Sequence, residues 1–145
     1  MRKKCALFSF GFLLVASVPP LGALSFHTIT PCRVLDTRTG SGQPLQSGFI
    51  DAANIAGFCG VPSTAIAVSA NLTVTSPTGA GLVKVWPGGT PEPPATNLNF
   101  GPGATRANNA VLGLATDGFG DVAIKPILDN NGQVHLIIDV NGYFQ

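Results

Sequence analysis

The sequence predicts an all-β domain: an antiparallel β-sandwich of jelly-roll or immunoglobulin-like form, with a small β-barrel as the alternative. Three observations carry this expectation. Residues 66–75 and 134–140 alternate with a period of two, which puts apolar side chains on one face of an extended strand. Clusters of Gly, Pro, Asn and Asp separate the apolar runs at short intervals. No window shows the 3.6-residue apolar period of an amphipathic helix.

The N-terminus is read first because it alters the rest of the arithmetic. Arg2, Lys3 and Lys4 precede an apolar run over residues 5–18, which Pro19 and Pro20 break. Small residues at Gly22, Ala23 and Ser25 offer cleavage positions. This is the layout of a secretory signal peptide over residues 1–25, and the run is short for a membrane span. Residues 26–145 are then a single extracellular β domain, with no membrane association after cleavage. Mass spectrometry of exported protein is expected to find a start near residue 24 or 26.

Along that domain, residues 24–29 and 34–35 read as strands interrupted by Pro31 and Cys32, and residues 37–47 as a polar loop. Residues 55–62 form a turn that carries Cys59. The strand over residues 66–75 is expected to form a hairpin with residues 82–86 across Ser76-Pro77-Thr78-Gly79. A Pro- and Gly-rich loop covers residues 87–94, and residues 96–100 form a short strand. Residues 107–115 and 121–125 flank Thr116-Asp117-Gly118-Phe119-Gly120 as a second hairpin. Asp129-Asn130-Asn131-Gly132 turns into the last strand, where Val134, Leu136, Ile138 and Val140 face one way. That strand is expected to lie inside the sheet, because an edge strand so apolar would invite aggregation. Asn141-Gly142 is expected to turn the chain so that Tyr143 and Phe144 close one end of the core.

Composition bounds the function. Of 145 residues only 10% are charged, against roughly 25% in an average soluble domain. Beyond residue 25, five Lys and Arg stand against seven Asp and Glu, a net charge of −2 where the whole chain carries +1. No basic block suits a nucleic-acid partner. With 45% hydrophobic residues the chain can bury a core and is no disordered tail. Cys32 and Cys59 are the pair that remains after export, and in an oxidising compartment they read most simply as a disulfide. A reactive-thiol or metal pair is the alternative, but His27 and His135 lack ligand spacing to either cysteine.

Chemical motifs are sparse. There is no Gly-x-Ser-x-Gly elbow, no His-Glu-x-x-His and no phosphate-binding loop. Asp36, Asp51 and Asp139 are scattered, and Glu92 sits in a Pro-rich loop, so no carboxylate pair suits a hydrolase. Asp36 and Arg38 share a strand face and read as an ion pair. Asp129-x-Asn131-Gly132 and Asp139-x-Asn141-Gly142 bring oxygens together, but they read as turns before calcium loops. No catalytic residue, cofactor or metal is expected. A sugar site is the one ligand-binding candidate: Trp86, at a strand end, as a stacking platform, with Asn97 and Asn99 as hydrogen-bonding partners.

Five segments together resemble a known family: "TPCRVLDTR" (residues 30–38), "AGFCGVP" (56–62), "AVSANLTVTSPTGAG" (67–81), "TNLNFGPGATRANNAV" (96–111) and "IIDVNGYF" (137–144). They are similar to secreted bacterial β-rich domains, marked by PCRVLDTR and DVNGYF, that occur as single or tandem modules in large extracellular proteins. That family has no established activity. The resemblance implies a bacterial, exported, non-catalytic module and carries over no functional residue. The function expected from the sequence is therefore a structural or adhesive role at the cell surface or in the extracellular matrix, with a surface glycan or a protein as partner. Carbohydrate binding is the alternative.

Overall fold

The structure is a computed structural model that describes residues 22–40 and 42–145. The expected signal peptide falls almost wholly outside the described residues. Nine strands follow one another: β1 (Phe26–Asp36), β2 (Leu45–Gln46), β3 (Asp51–Asn54), β4 (Ala67–Thr75), β5 (Gly81–Pro87), β6 (Leu98–Phe100), β7 (Arg106–Gly113), β8 (Asp121–Leu128) and β9 (Gln133–Phe144). One sheet runs β1-β9-β4-β7, with β2 also pairing to β9, and the other runs β3-β8-β5-β6. Every pairing is antiparallel.

The two sheets stack as a sandwich. The alternation seen in the sequence is the reason: Val68, Ala70, Leu72 and Val74 of β4, and Val134, Leu136, Ile138 and Val140 of β9, all turn inward. They meet Val83 and Val85 of β5 and Val122 and Ile124 of β8 from the facing sheet. Burying each such side chain contributes about 1.5–3 kcal/mol, so this layer is the main source of stability.

The strand order is that of a jelly roll, eight main strands wound into two antiparallel sheets. The sheets do not close into a barrel, and their order is not the ABED and CFG arrangement of an immunoglobulin domain. Neither expected hairpin forms. β4 and β5 lie in opposite sheets, as do β7 and β8. The turn residues do reverse the chain, and Ser76, Asn130 and Asn131 take the positive φ that such tight bends require. The chain crosses to the other sheet at those turns because a strand with one apolar face is satisfied equally by a facing sheet. Only β5 and β6 are consecutive partners within one sheet.

Three further expectations change. β1 is one strand running through Pro31 and Cys32, with register shifts between Thr28 and Cys32 and between Arg33 and Leu35 that accommodate the proline. β3 lies in a stretch without a clear strand pattern; only Ala53 of its four residues is buried. Asn141-Gly142 does not turn the chain. β9 continues to Phe144, with an irregularity opposite Ser69 and Ala70 of β4. Glycine occupies position 142 because a Cβ there would run into the Phe26 ring. β9 itself is interior, between β1 and β4.

Cys32 and Cys59 form a disulfide with a Cα–Cα distance of 5.6 Å, inside the normal range. The bond ties β1 to the loop that follows β3. On the chain-entropy model, closing a 27-residue separation stabilises the fold by about 3–4 kcal/mol.

Candidate functional site

The two signature segments of the sequence meet in space. β1 and β9 pair so that Arg33 stands opposite Asp139. The guanidinium grips that carboxylate with two hydrogen bonds, Nε to Oδ1 at 2.7 Å and Nη2 to Oδ2 at 3.1 Å. Arg33 Nη1 also donates to Asp36 Oδ2 at 3.2 Å. Arg38 holds both oxygens of Asp36 through Nε (2.9 Å) and Nη2 (2.7 Å), and its backbone N–H donates to Oδ1 at 3.1 Å. The Arg38 hydrogen bonds hold the Asp36 carboxyl far below the ordinary carboxylate range. Thr37 is buried. Its hydroxyl accepts the Leu136 N–H at 3.0 Å and lies 3.0 Å from His135 Nδ1. Every polar side chain of the "CRVLDTR" stretch is thus engaged with its own strand or with β9. A cleft of about 380 Å³ beside this network is lined by Pro31, Cys32, Arg33 and Asp139. Its charges already neutralise one another, so it presents no free acid, base or nucleophile.

The second sheet holds the other polar cluster. Lys84 and Lys125 face each other across β5 and β8, a like-charge pair that is unfavourable by itself. The loop between β5 and β6 folds back over them and places Glu92 between the two ammonium groups, 2.8 Å from Lys84 Nζ and 2.7 Å from Lys125 Nζ. Hydrogen bonds from Lys125 and then Lys84 lower the Glu92 pKa.

The same loop decides the sugar-site expectation. Trp86 is 5% exposed, and its Nε1–H donates to the Thr90 carbonyl at 3.0 Å. The exposed stacking platform does not form, because residues 87–94 cover the ring and satisfy its one donor. Asn97 is also committed: its Oδ1 accepts the Val85 N–H at 2.7 Å, its N–H donates to the Val83 carbonyl, and its carbonyl accepts from Asn108 Nδ2 at 2.8 Å. It joins β5, β6 and β7. Asn99 points to solvent on the far face of β6. The structure therefore leaves only Asn99 of the three exposed.

The turn reading holds for Asp129-x-Asn131-Gly132 but not for Asp139-x-Asn141-Gly142, which lies within β9. Asp129–Asn131 form a tight turn in which Asn130 and Asn131 take left-handed φ, Asp117 Oδ1 accepts the Phe119 N–H at 3.1 Å, and Asp139 is occupied by Arg33. Among the described residues no group of three His, Cys, Asp or Glu side chains converges. Among them, too, no helix is long and apolar enough to cross a membrane.

What the sequence reading missed is a set of aromatic loop tips. Phe49 is 70% exposed, Phe58 56% and Phe119 73%. Phe49 and Ile50 lead into β3 and line a cleft of about 440 Å³ with Pro44, Leu45, Gln46 and Asp51. Phe58 lies in the loop that leaves β3. That loop joins the one carrying Phe119 through the N–H groups of Ile55 and Ala56, which donate to the Gly120 carbonyl at 3.3 and 3.1 Å. The apolar tips therefore flank both ends of the edge strand β3. Single Phe residues inside Gly-rich turns carry no periodicity, so their only sequence signal was an aromatic residue where a turn favours polar ones.

No protein-family model matches the chain, and no curated protein matches it. Among solved structures, a dimer of the Tobacco streak virus coat protein is 15% identical with a TM-score of 0.43, over 81% of this chain and 84% of that one. Another crystal form of the same coat protein is 16% identical with a TM-score of 0.44, over 86% and 90%. The sandwich assignment rests on the strand pairing of this chain itself.

Proposed function

We propose that this protein is an exported, non-enzymatic β-sandwich module that adheres to a protein partner at the cell surface or in the extracellular matrix, through the aromatic loops at the two ends of β3. One observation carries the reading: three loop phenylalanines, Phe49, Phe58 and Phe119, stand in solvent on a domain whose Arg33, Arg38, Lys84 and Lys125 are all closed on its own carboxylates. Exposed apolar groups rimmed by polar surface mark interaction sites, and aromatic side chains are the usual anchors. The basic and apolar N-terminal segment and the Cys32–Cys59 disulfide support the exported setting.

The test is retention of the purified chain on the surface of its producing cells. Substituting Phe49, Phe58 and Phe119 together by Ser is expected to abolish retention while leaving the melting temperature unchanged, since none of the three rings is in the core. Equal retention of the triple variant overturns the aromatic-loop reading. Retention that is competed away by free sugars would instead favour a glycan partner.

A further inference from the structure

The outer strands of the sandwich are not equally protected. β3 has four residues and β6 three, too short to template another chain. β1 is long, but Pro31 lacks an N–H, its register shifts twice, and it carries Arg33, Asp36 and the disulfide loop. Prolines, irregularities, charges and shortness are the devices that blunt an edge. β7 has no proline, no irregularity and eight residues, and its one charge, Arg106, stands at its end. It pairs with β4 over eight consecutive positions, Arg106 to Gly113, without a shift, and among the described residues its other side pairs with no strand. Residues 106–109 are exposed, and Val111 is 63% exposed. Beyond Arg106 the strand bears no charge.

We propose that the free edge of β7 pairs antiparallel with β7 of a second copy of this chain, continuing the β1-β9-β4-β7 sheet across a two-fold axis. The complement of an unpaired strand edge is another extended backbone, whose N–H and C=O groups satisfy it in the manner of strand addition. A second copy fits for reasons of charge and of shape. A two-fold axis places the same patch on both sides, so the patch must tolerate itself. The single charge of β7, Arg106, sits at one end, so an antiparallel pair holds the two guanidinium groups at opposite ends. In a register that keeps each face continuous, outward-facing residues of one strand stand opposite outward-facing residues of the other. Ala107, Asn109 and Val111 then meet only one another, which brings small, amide and β-branched side chains together without repulsion.

The test is sedimentation velocity of the purified chain over a wide concentration range, combined with hydrogen exchange. The expected result is a concentration-dependent dimer in which alternate amides of residues 106–113 exchange more slowly as the dimer populates. The double variant Asn109→Lys, Val111→Lys is expected to lose the dimer boundary while keeping the fluorescence of buried Trp86, and Leu24→Lys, exposed just before β1 at the opposite edge of the sheet, is expected to keep the dimer. A chain that stays monomeric throughout overturns the proposal. So does a dimer whose β7 amides exchange at the monomer rate, or one that survives both lysines. Should the double variant fail to fold, the concentration dependence of wild-type exchange still decides.

Discussion

Thr37 shows how much one side chain carries in this protein. Among the described residues it is the single buried polar one, and its hydroxyl takes the N–H of Leu136 on the neighbouring strand. Its backbone N–H donates to the Leu136 carbonyl at 3.1 Å. Thr37→Val keeps the shape and removes the acceptor, so a buried amide is left without its partner. The expected loss is about 1–3 kcal/mol of stability, measured by urea unfolding. Glu92 is a residue-scale case with a pH signature. Its folded pKa lies below its unfolded one, so its contribution is complete above the ordinary carboxylate range and fades as pH falls through and below roughly pH 4. Asp36 acts in the same direction. Glu92→Gln is therefore expected to lower the melting temperature at neutral pH, because Lys84 and Lys125 then face each other without a counter-charge. It should also make the acid limb of the melting curve shallower. A variant that melts like the native chain at pH 7 would show that solvent already screens the two lysines.

At the scale of elements, the last strand is where sequence and structure agree most closely. The alternation of residues 134–140 requires one buried face, which the facing sheet supplies, Ile137 on the other face is buried as well, and the strand lies between β1 and β4. β4 was legible for the same reason. Pairing was not legible, because alternation states only that a face is buried and never which strand supplies the cover. The Pro- and Gly-rich turns after β4 and β7 mark reversals without saying whether the chain stays in its sheet. Trp86 was misplaced by a related ambiguity: a ring at a strand end is exposed or buried according to a loop whose path no local pattern records. The C-terminal residues give the test. Tyr143 stacks on His27 with ring centroids 4.9 Å apart, Phe144 tilts against Phe26 at 4.9 Å, and the Phe144 carbonyl accepts the Ile66 N–H at 2.9 Å. A chain ending at Gly142 loses both rings and strand pairing to β1 and β4 together. It is expected to be less stable by about 2–4 kcal/mol. Melting unchanged by the truncation would mean that these contacts contribute nothing to folding.

For the whole molecule, the decisive feature is that the first and last long strands are neighbours. β1 pairs along β9 from Phe26 opposite Phe144 to Asp36 opposite Ile137, so more than a hundred residues of chain are closed by this one pairing. The disulfide shortens part of that loop by anchoring β1 to the segment after β3. Such non-local pairing makes β-sandwiches slow to fold, on the order of milliseconds to seconds. It also brings residues 25 and 145 together: the Ser25 N–H donates to the Gln145 carbonyl at 2.8 Å, and the Gln145 N–H returns to the Ser25 carbonyl at 3.2 Å. In a chain limited to residues 25–145, a short Gly-rich linker from Gln145 to Ser25 can therefore join these two residues without moving either strand, and new ends can be opened between Gly118 and Phe119 in an exposed loop. Ends that lie close together at the surface are what make such rearrangements tolerable. This permutant converts the β1–β9 contact from the most distant in sequence to a local hairpin, so it is expected to refold faster while keeping the same sheets. Stopped-flow refolding followed by Trp86 fluorescence, with hydrogen exchange mapped on β9, would check it. A permutant that refolds no faster would place the rate-limiting step elsewhere, in the crossings between sheets that the β4 and β7 turns impose.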